Sequence, residues 1–488
     1  MIDLTINEEQ LKRTVQRARE RNIIIPTFAQ MKNPDLIPDK IKEELKGIGL
    51  WDVNPRNLFR ITWKNEPIVH GGGYGGVNWI EWPSSLTGVP ARIIQLIGKW
   101  FPTGAHKVGA TFGCLVPRLI TGQFDPTYHR AVWPSTGNYC RGGAYDAALL
   151  ACESIAILPE EMSRERFEWL QTVAGEVIAT PGCESNVKEI FDKCWELKRE
   201  RGDKVSIFNQ FDEFGNYLWH YDVTGHAMEE VLAQVLGPRD KFRGIALTTG
   251  SAGTIGCGDY LKQHFSDIKV AAGEALQCPT LGMNGFGGHR IEGIGDKHVP
   301  WIHNVKNSDL IIAVDDEASM SLVRLFNEPV GREYLVKQGV SEDLVGQLDL
   351  LGISSVANLL QTIKMAKWYE ADENDIFFTV ATDSMELYKS RMREMREAHG
   401  EYDESDAAAS FHRYMLGQDI DNVLELSYRD RKRVHNLKYY TWVEQQGKTY
   451  KEIQQQWYER DYWTNFQEQI PEIDALIEQF NGMTGLLK

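Results

Sequence analysis

The sequence lacks the features of a protein that crosses a membrane or binds nucleic acid. No run approaches the roughly 18 uninterrupted apolar residues of a membrane-spanning helix. Lys and Arg number 53 against 69 Asp and Glu, which gives a formal net charge of -16 at pH 7. This excess of negative charge argues against a nucleic acid or an anionic membrane as a partner. Small anionic ligands stay possible, because a local group of backbone N–H donors can outweigh the global charge.

Paired cysteines are missing as well. The seven cysteines are scattered along the chain, and no two of them form a C-x-x-C motif. Scattered thiols are typical of reduced cytosolic proteins and imply neither a disulfide framework nor a structural zinc site. The opening residues M-I-D-L-T-I-N-E-E-Q are acidic and polar, whereas a signal peptide is basic and then apolar. We therefore predict a cytoplasmic protein without a metal site.

The remaining sequence has the pattern of an α/β protein. A chain of 488 residues is too long for one ordinary core, so we expect about two to four lobes. Short apolar runs such as S-I-A-I-L-P and D-L-I-I-A-V alternate with helical stretches, as in parallel sheets buried on both faces. The pattern predicts at least two open sheets flanked by helices. The predicted parts are an N-terminal helical and Gly-rich segment (1–95), two α/β lobes (96–240 and 241–400) and a helical C-terminal extension (401–488).

Two glycine-rich stretches differ in their context. Gly71 to Gly76, G-G-G-Y-G-G, satisfies the dinucleotide fingerprint G-x-G-x-x-G, but the following V-N-W-I-E-W-P opens no helix, so we expect a loop near a cleft. In contrast, G-S-A-G-T (Gly250 to Thr254) directly follows an apolar strand and precedes a helix. Its backbone N–H groups and hydroxyls could hold a phosphate at the helix N-terminus. The alternative is a plain strand-to-helix turn.

A single lysine stands out in the stretch F-P-T-G-A-H-K-V-G-A-T. Lys107 is the only cation among small, apolar and turn-forming residues. Desolvation and a helix N-terminus both lower the pKa of a lysine and make it a nucleophile. Together with a phosphate site that has no lysine of its own, Lys107 suggests pyridoxal phosphate as the cofactor. Taken alone, the residue would more often be structural.

The turn Ser135-Thr136-Gly137-Asn138 follows the apolar run A-V-W-P. Hydroxyls, backbone N–H groups and an amide at one strand end could bind a carboxylate and a phenolic oxygen together. The same residue types also cap helices, and both interpretations can hold.

The order of several short motifs in the sequence resembles that of a known family. The motifs P-T-G-A-H-K, S-T-G-N, L-P-E-E-M-S-R-E-R, N-Q-F-D-E-F-G-N, G-S-A-G-T-I-G, H-R-I-E-G-I-G-D-K-H-V-P, L-L-G-I-S-S and A-T-D-S-M-E-L-Y occur in the order seen in the cysteine synthase and cystathionine β-synthase family. These are pyridoxal-phosphate enzymes with the tryptophan synthase β fold (fold type II). The resemblance runs from about residue 95 to about residue 390 and implies that fold, with two twisted sheets.

The resemblance also implies roles for individual residues. Lys107 matches the Schiff-base lysine, and the other matches are Asn138 for the ring oxygen, Gly250, Ser251, Ala252, Gly253 and Thr254 for the phosphate, Ser384 for the pyridine nitrogen, and Ser135, Thr136, Gly137 and Gln210 for the substrate carboxylate. A neutral hydroxyl at the pyridine nitrogen favours loss of a β-substituent through an aminoacrylate. Asp383 facing the nitrogen instead would weaken that inference.

Departures from the family bear on the substrate. The family usually reads S-G-N-T-G where this chain places Tyr139 and Cys140 after the asparagine. The Tyr139 phenol could donate a hydrogen bond to the substrate or shrink its pocket, and Cys140 is either a packing residue or a thiol near the reacting carbon. His106 resembles the G-A-H-K of the tryptophan synthase β chain. His289 and His298 flank E-G-I-G, where packing is the more common role of a histidine.

These observations predict an enzyme acting at the β-carbon of a small amino acid. The first hypothesis is β-replacement with a thiol co-substrate, as in cysteine synthase. The second is β-elimination, which gives pyruvate and ammonia from cysteine or serine. The third is a non-catalytic regulatory relative, disfavoured by the complete set of site residues. The family is typically homodimeric, so we expect a homodimer, and we predict neither haem nor an adenosyl-ligand sensor.

Overall fold

The computed structural model describes residues 1–487, which form two sheets surrounded by helices. The strands are β1 (Trp79–Trp82), β2 (Arg92–Ile97), β3 (Arg130–Pro134), β4 (Glu153–Pro159), β5 (Glu176–Thr180), β6 (Val205–Ile207), β7 (Lys241–Thr248), β8 (Lys269–Ala275), β9 (Leu310–Val314), β10 (Asp375–Ala381) and β11 (Val423–Glu425).

The α-helices are distributed along the whole chain. They are α1 (Glu8–Glu20), α2 (Phe28–Lys32), α3 (Asp39–Leu45), α4 (Ser84–Thr87), α5 (Lys107–Ile120), α6 (Asn138–Leu149), α7 (Arg164–Val173), α8 (Val187–Arg201), α9 (Phe214–Trp219), α10 (Gly225–Val235), α11 (Gly256–His264), α12 (Thr280–Met283), α13 (Asp316–Asn327), α14 (Pro329–Lys337), α15 (Glu342–Val345), α16 (Ile353–Trp368), α17 (Lys389–His399), α18 (Glu404–Ala409), α19 (Tyr428–Asn436), α20 (Tyr450–Tyr458), α21 (Tyr462–Gln467) and α22 (Ile470–Thr484). No helix in the described range is long and apolar enough to span a bilayer.

Both sheets are mainly parallel. The larger has seven strands in the order β1-β2-β10-β7-β8-β9-β11, and only its two edge pairs, β1 with β2 and β9 with β11, are antiparallel. The smaller has the order β5-β4-β3-β6 and is entirely parallel. Every residue of β9 and β10 is buried, as expected for strands covered on both faces. The predicted α/β fold with two sheets is confirmed.

The Gly71–Gly76 stretch does not have the context of a dinucleotide site. A short 3₁₀ turn precedes it and β1 follows it, and an isolated antiparallel bridge joins Asn65 to Tyr74 across the loop. The dinucleotide fingerprint needs a strand before the glycines and a helix after them. The stretch is therefore a surface turn.

The C-terminal extension packs on the main body. It is helical, as predicted, but it also contributes β11, whose Val423 pairs with Ile312 at the edge of the larger sheet. The ring of Phe466 stacks on Phe214 with centroids 3.6 Å apart. The Lys438 ammonium is buried and donates to three acceptors, among them the Trp301 carbonyl at 2.8 Å. The extension thus completes the sheet and covers α9.

The lobe boundaries stay a prediction. Residues 96–240 contain the whole smaller sheet, whereas β1 and β2, which lie almost entirely within the predicted N-terminal segment, belong to the larger one. The two sheets meet where the carboxyl ends of their parallel strands converge, which is where ligands bind in open α/β folds.

Candidate functional site

A cavity opens at the carboxyl ends of β3, β7 and β10. Its lining comprises His106, Lys107, Ser135, Thr136, Asn138, Tyr139, Gln210, Phe211, Leu247, Thr248, Gly250, Ser251, Ala252, Thr254, Gly293, Asp296, Asn358, Val380 and Thr382. Three of the residues named from the sequence, Gly137, Gly253 and Ser384, are not in the lining.

Lys107 is the first residue of α5, and its amine faces the cavity. Nζ donates to Oγ of Ser251 at 3.1 Å, which brings the lysine to the glycine-rich turn 144 positions away. Burial lowers the pKa of Lys107 to about 8, partly opposed by the nearby carboxylate of Asp296. A buried amine at a helix N-terminus is a better nucleophile near neutral pH than an exposed lysine.

The turn Gly250–Thr254 lies between β7 and α11, in the strand–turn–helix context that a phosphate site needs. Its glycines permit close approach: a Cβ at Gly250 would lie 2.7 Å from the carbonyl oxygen of Gly293, and one at Gly253 would overlap Oδ1 of Asn216. Asn216 in turn donates through Nδ2 to Ser251 Oγ at 3.0 Å. Packing against Gly293 and Asn216 therefore fixes the conformation of the turn, and most of its residues line the cavity.

The loop Ser135–Asn138 connects β3 to α6, whose first backbone amides have no acceptor within the helix. The N–H of Gly137 donates to Ser135 Oγ at 3.0 Å. A Cβ at Gly137 would lie 2.5 Å from Nη1 of Arg166, so no larger residue fits there without displacing that guanidinium. Free amides and hydroxyls at one strand end form a suitable site for a carboxylate.

Arg166 anchors this loop from behind, a role the sequence analysis missed. Its guanidinium, 1% exposed in side-chain terms, donates to the Thr136 carbonyl at 3.2 Å, to Glu292 at 2.5 Å and to the Tyr388 hydroxyl at 2.8 Å. Arg166 lies in the L-P-E-E-M-S-R-E-R motif, which gave the only signal. A buried, multiply bonded ion pair of this kind fixes geometry more than it adds stability.

The turn after β10 contains three polar residues, Thr382, Asp383 and the predicted Ser384, with different surroundings. Thr382 lines the cavity, whereas Ser384 lies outside the lining and its buried Oγ has no partner among the described residues. Asp383 accepts a hydrogen bond from Asn138 Nδ2 at 2.6 Å and from the Tyr388 hydroxyl at 2.6 Å. Because β10 ends at Ala381, Thr382 is the first residue after the strand end and reaches the cavity.

Tyr139 and Cys140, which differ from the usual family sequence, have different surroundings. Tyr139 lines the cavity, but its hydroxyl points away and donates to Cys114 Sγ at 3.4 Å. Cys140 is fully buried and donates to the Gly137 carbonyl, and burial raises the pKa of its thiol to about 12. Cys140 is thus a packing residue. Gln210 lines the cavity beside the loop.

His106 ties the lysine segment to the turn after β10. Its Nε2 lies 3.2 Å from Oγ1 of Thr382, and its backbone N–H donates to the Thr382 carbonyl at 3.3 Å. Burial lowers the pKa of His106 well below its usual value, and the adjacent Lys107 lowers it further. The imidazole is therefore neutral and serves to position its neighbours.

Comparison with known proteins identifies relatives of this chain. The profile of the family described as "Pyridoxal-phosphate dependent enzyme" matches residues 101–331. A probable cysteine synthase of Bacillus subtilis (strain 168) is 27% identical over 301 residues, which cover 62% of this chain and 89% of the relative. A cysteine synthase of Staphylococcus aureus (strain Mu50 / ATCC 700699) is 30% identical over 261 residues, 53% of this chain and 75% of the relative.

The chain belongs to the pyridoxal-phosphate-dependent enzyme family. The resemblance inferred from the sequence motifs is confirmed. A solved hydrogen sulfide-producing enzyme of Fusobacterium nucleatum superposes with a TM-score of 0.54 at 23% identity, covering 64% of this chain and 95% of that one, and so shares the fold.

Pyridoxal phosphate is the cofactor of this family, and the residues present fit it. The family profile includes Lys107, the loop after β3 and the turn after β7. The amine of Lys107 faces the same cavity as the turn Gly250–Thr254, which can hold an oxyanion through its backbone amides and hydroxyls. Asn138 has a second amide hydrogen beyond the one given to Asp383.

Proposed function

We propose that this enzyme acts at the β-carbon of a small amino acid, by β-replacement as in a cysteine synthase. One observation carries the proposal: Lys107, the loop Ser135–Tyr139 and the turn Gly250–Thr254 come from three separate parts of the chain and meet in one cavity. A lysine amine, a carboxylate site and a phosphate site are the three groups that this chemistry requires.

Each set of residues has its own task. Lys107 attaches the cofactor through Nζ, the amides of Gly250–Thr254 bind its phosphate, and the Asn138 amide binds its ring oxygen. The hydroxyls and amides of Ser135, Thr136 and Gly137, with the Gln210 side chain and the Tyr139 edge, bind the carboxylate of the amino acid. When bound, pyridoxal phosphate supplies an electron sink for the bond broken at Cα.

Lys107 then serves as the base. With the amino acid bound in the site, its Nζ would take the proton from Cα. A lysine with a pKa of about 8 is neutral in a useful fraction of molecules near pH 7 to 8, whereas an ordinary lysine is almost wholly protonated there. Arg166, behind the carboxylate loop, keeps the substrate oriented for this transfer.

β-Elimination is the second candidate. The outcome depends on whether a thiol adds to the β-carbon after the substituent has left, or whether the unsaturated product is released and water hydrolyses it at Cα to pyruvate and ammonia. The cavity holds a buried carboxyl, Asp296, that could serve either course, and the structural neighbour from Fusobacterium nucleatum produces hydrogen sulfide. Both candidates share the first half of the reaction and the same site residues.

The test compares three substrates. The purified protein with pyridoxal phosphate is mixed in turn with serine, O-acetylserine and cysteine, with and without a thiol, and sulfide, pyruvate and thioether products are measured. Replacement predicts thioether that depends on the thiol, and elimination predicts pyruvate without it. Lys107→Ala should abolish both products and the borohydride-sensitive absorption of bound cofactor.

Lys12→Ala is the matched control, because Lys12 is exposed on α1 and does not line the cavity. It should behave as the wild type. A wild-type protein that stays colourless with cofactor and releases no product from any of the three amino acids would show that the protein is a non-catalytic relative.

We also propose a cytoplasmic homodimer. Free thiols at all seven cysteines suit a reducing compartment, and six of them are buried. The extension exposes the large side chains Tyr428, Tyr440, Tyr450 and Tyr458, with exposures of 59% or more. Exposed aromatic groups are enriched in protein interfaces. Light scattering on the full chain distinguishes a dimer from a monomer.

A further inference from the structure

We infer that Asp296 is a second acid–base group of the site, which protonates the departing β-substituent, so that the enzyme accepts amino acids with an unactivated β-hydroxyl or β-thiol. This inference rests on the proposed function and deepens it. It assigns a role to a residue that lines the cavity and belongs to the motif H-R-I-E-G-I-G-D-K-H-V-P, but to which the motif assigned no role.

Asp296 is a buried carboxyl without the partners that a structural carboxyl has. It lines the cavity, and its residue is 7% exposed. Its Oδ2 accepts no hydrogen bond from any described residue, and Lys107 Nζ is bonded to Ser251 instead. Buried polar atoms are nearly always satisfied, and an exception at a ligand site suggests a group that meets the ligand.

The backbone beside Asp296 is firmly held. The Gly295 N–H donates to the Thr249 carbonyl at 2.8 Å, and the Thr280 hydroxyl donates to the Asp296 carbonyl at 2.7 Å. His289 Nε2 lies 3.0 Å from the Gly295 carbonyl; since Nδ1 accepts from a backbone N–H, Nε2 carries the proton. His289 therefore positions the loop, and the carboxyl between the two flanking histidines is the group that faces the cavity.

The other titratable groups of the lining are committed elsewhere. Lys107 is the base at Cα, and the neutral His106 is bonded to Thr382. The Tyr139 hydroxyl donates to Cys114, and burial raises its pKa well above the usual value. Burial raises the pKa of Asp296 to about 7, partly opposed by Lys107, so a protonated form is available near neutral pH. Asp296 is the only carboxyl among the described residues that line the cavity, and it has no other assigned role.

The proton balance closes. As Lys107 Nζ takes the proton from Cα, the electron pair of that bond forms the Cα–Cβ double bond. The bond from Cβ to the oxygen or sulfur breaks with its electron pair, and Asp296 gives its proton to that atom, which leaves as water or hydrogen sulfide. In replacement, the resulting carboxylate takes the proton of the thiol that adds to Cβ, and Lys107 returns its proton to Cα. In elimination, no nucleophile adds to Cβ: Lys107 gives up its proton as the unsaturated product leaves and is hydrolysed at Cα, and solvent reprotonates the carboxylate.

The leaving group decides the substrate class. Acetate leaves O-acetylserine as a stable anion and needs no acid, whereas hydroxide and hydrosulfide are more basic and gain from protonation. A buried acid beside the cavity is thus of use mainly with serine or cysteine. General acid catalysis contributes roughly a hundredfold to ten-thousandfold.

Asp296→Asn tests the inference in the enzyme with cofactor. We expect kcat/KM with serine or cysteine to fall by at least ~100-fold and that with O-acetylserine by less than ~5-fold, on the scale of general acid catalysis. The cofactor absorption should stay. The control is Asp267→Asn, an exposed aspartate, which should keep the wild-type ratio of the substrates.

A second measurement does not depend on turnover. Infrared difference spectra of the cofactor-free protein, wild type minus Asp296→Asn, should show a protonated carboxyl at pH 6 that is lost above about pH 7, in line with its pKa. The titratable groups that face Asp296 are Lys107, Glu184 and Cys278.

The outcomes separate the two proposals. Equal losses for all substrates, no loss for any, an effect reproduced by Asp267→Asn, or a wild type active only on O-acetylserine would each overturn the role of Asp296 while leaving β-carbon chemistry in place. A wild type inactive on all three amino acids would instead refute the proposed function itself.

Discussion

Asn138 Nδ2 donates a hydrogen bond of 2.6 Å to Oδ2 of Asp383, which lies 245 positions later in the chain. The same Oδ2 accepts from the Tyr388 hydroxyl, while Oδ1 is buried without a partner. The carboxylate therefore orients the Asn138 amide between the smaller sheet and the end of β10. The protein, rather than the ligand, therefore sets the direction of the second amide hydrogen of Asn138.

Replacing Asp383 separates hydrogen bonding from charge. Asp383→Ala removes the acceptor, and we expect the cofactor dissociation constant to rise by about 10-fold or more, equivalent to about 1.4 kcal/mol. Asp383→Asn keeps an oxygen for Asn138 and Tyr388 and places its NH₂ where Oδ1 has no partner, so affinity should stay within ~3-fold. Fluorescence titration of the cofactor-free protein measures both.

Glu386→Ala is the control, since Glu386 lies in the same turn with an exposed side chain. Equal losses for Asp383→Asn and Asp383→Ala would show that the negative charge, and not the hydrogen bond, supports the site.

Thr382 and Ser384 are alternative hydrogen-bond partners for the ring nitrogen of the cofactor. We propose Thr382, because it lines the cavity and Ser384 does not. Thr382→Val should shift the absorption of the bound cofactor and lower kcat, since the hydroxyl near the ring is lost. Ser384→Ala should leave the spectrum unchanged. A shift with Ser384→Ala alone would return the role to the residue inferred from the sequence.

Thr382 and Ser384 illustrate which parts of the site could be predicted from the sequence. The lysine at a helix start, the turn Gly250–Thr254 and the loop after β3 were predictable, because each is a local pattern at a strand or helix end. In T-D-S, three polar residues follow one another, and only the position of the strand end decides which of them reaches the cavity. The short strand β11 was missed because V-L-E is too brief to show a period.

The other omissions have a tertiary cause. Arg166 and its partners Glu292 and Tyr388 come from three distant segments, so no local spacing relates them. Asp296 follows a glycine run between two histidines, and a carboxyl in such a loop is usually exposed. Its burial against the cavity depends on the bonds from Gly295 and Thr280, which exist only in the folded chain.

Lys107→Met should stabilise the cofactor-free protein. A pKa of about 8 in the folded state, against 10.5 for an ordinary lysine, corresponds to a cost of about 3 kcal/mol at pH 7. Because the unfolded chain binds the proton more tightly, this cost is complete below about pH 8 and vanishes as the pH rises through about 10.5. The gain in unfolding free energy from Lys107→Met should therefore be larger at pH 7 than at pH 9.5.

Urea unfolding of the cofactor-free protein at the two pH values measures this difference. Lys12→Met, on an exposed face of α1, should show no pH-dependent gain. A gain of the same size at both pH values would mean that the methionine stabilises by apolar packing alone and that Lys107 is not strained by burial.

The glycines at residues 253 and 76 differ in what an added methyl group would meet. At Gly253 a Cβ overlaps Oδ1 of Asn216, whose Nδ2 supports Ser251, whereas at Gly76 no atom lies within 4 Å. Gly253→Ala should therefore displace Asn216, tilt the turn that binds the phosphate and weaken cofactor binding by at least ~10-fold, about 1.4 kcal/mol. Gly76→Ala should leave binding unchanged, because the first glycine-rich stretch is a surface turn.

Titrating both variants with pyridoxal phosphate and, separately, with inorganic phosphate distinguishes the causes. The Gly253→Ala variant should lose affinity for both ligands. Retained affinity for inorganic phosphate would place the phosphate site elsewhere.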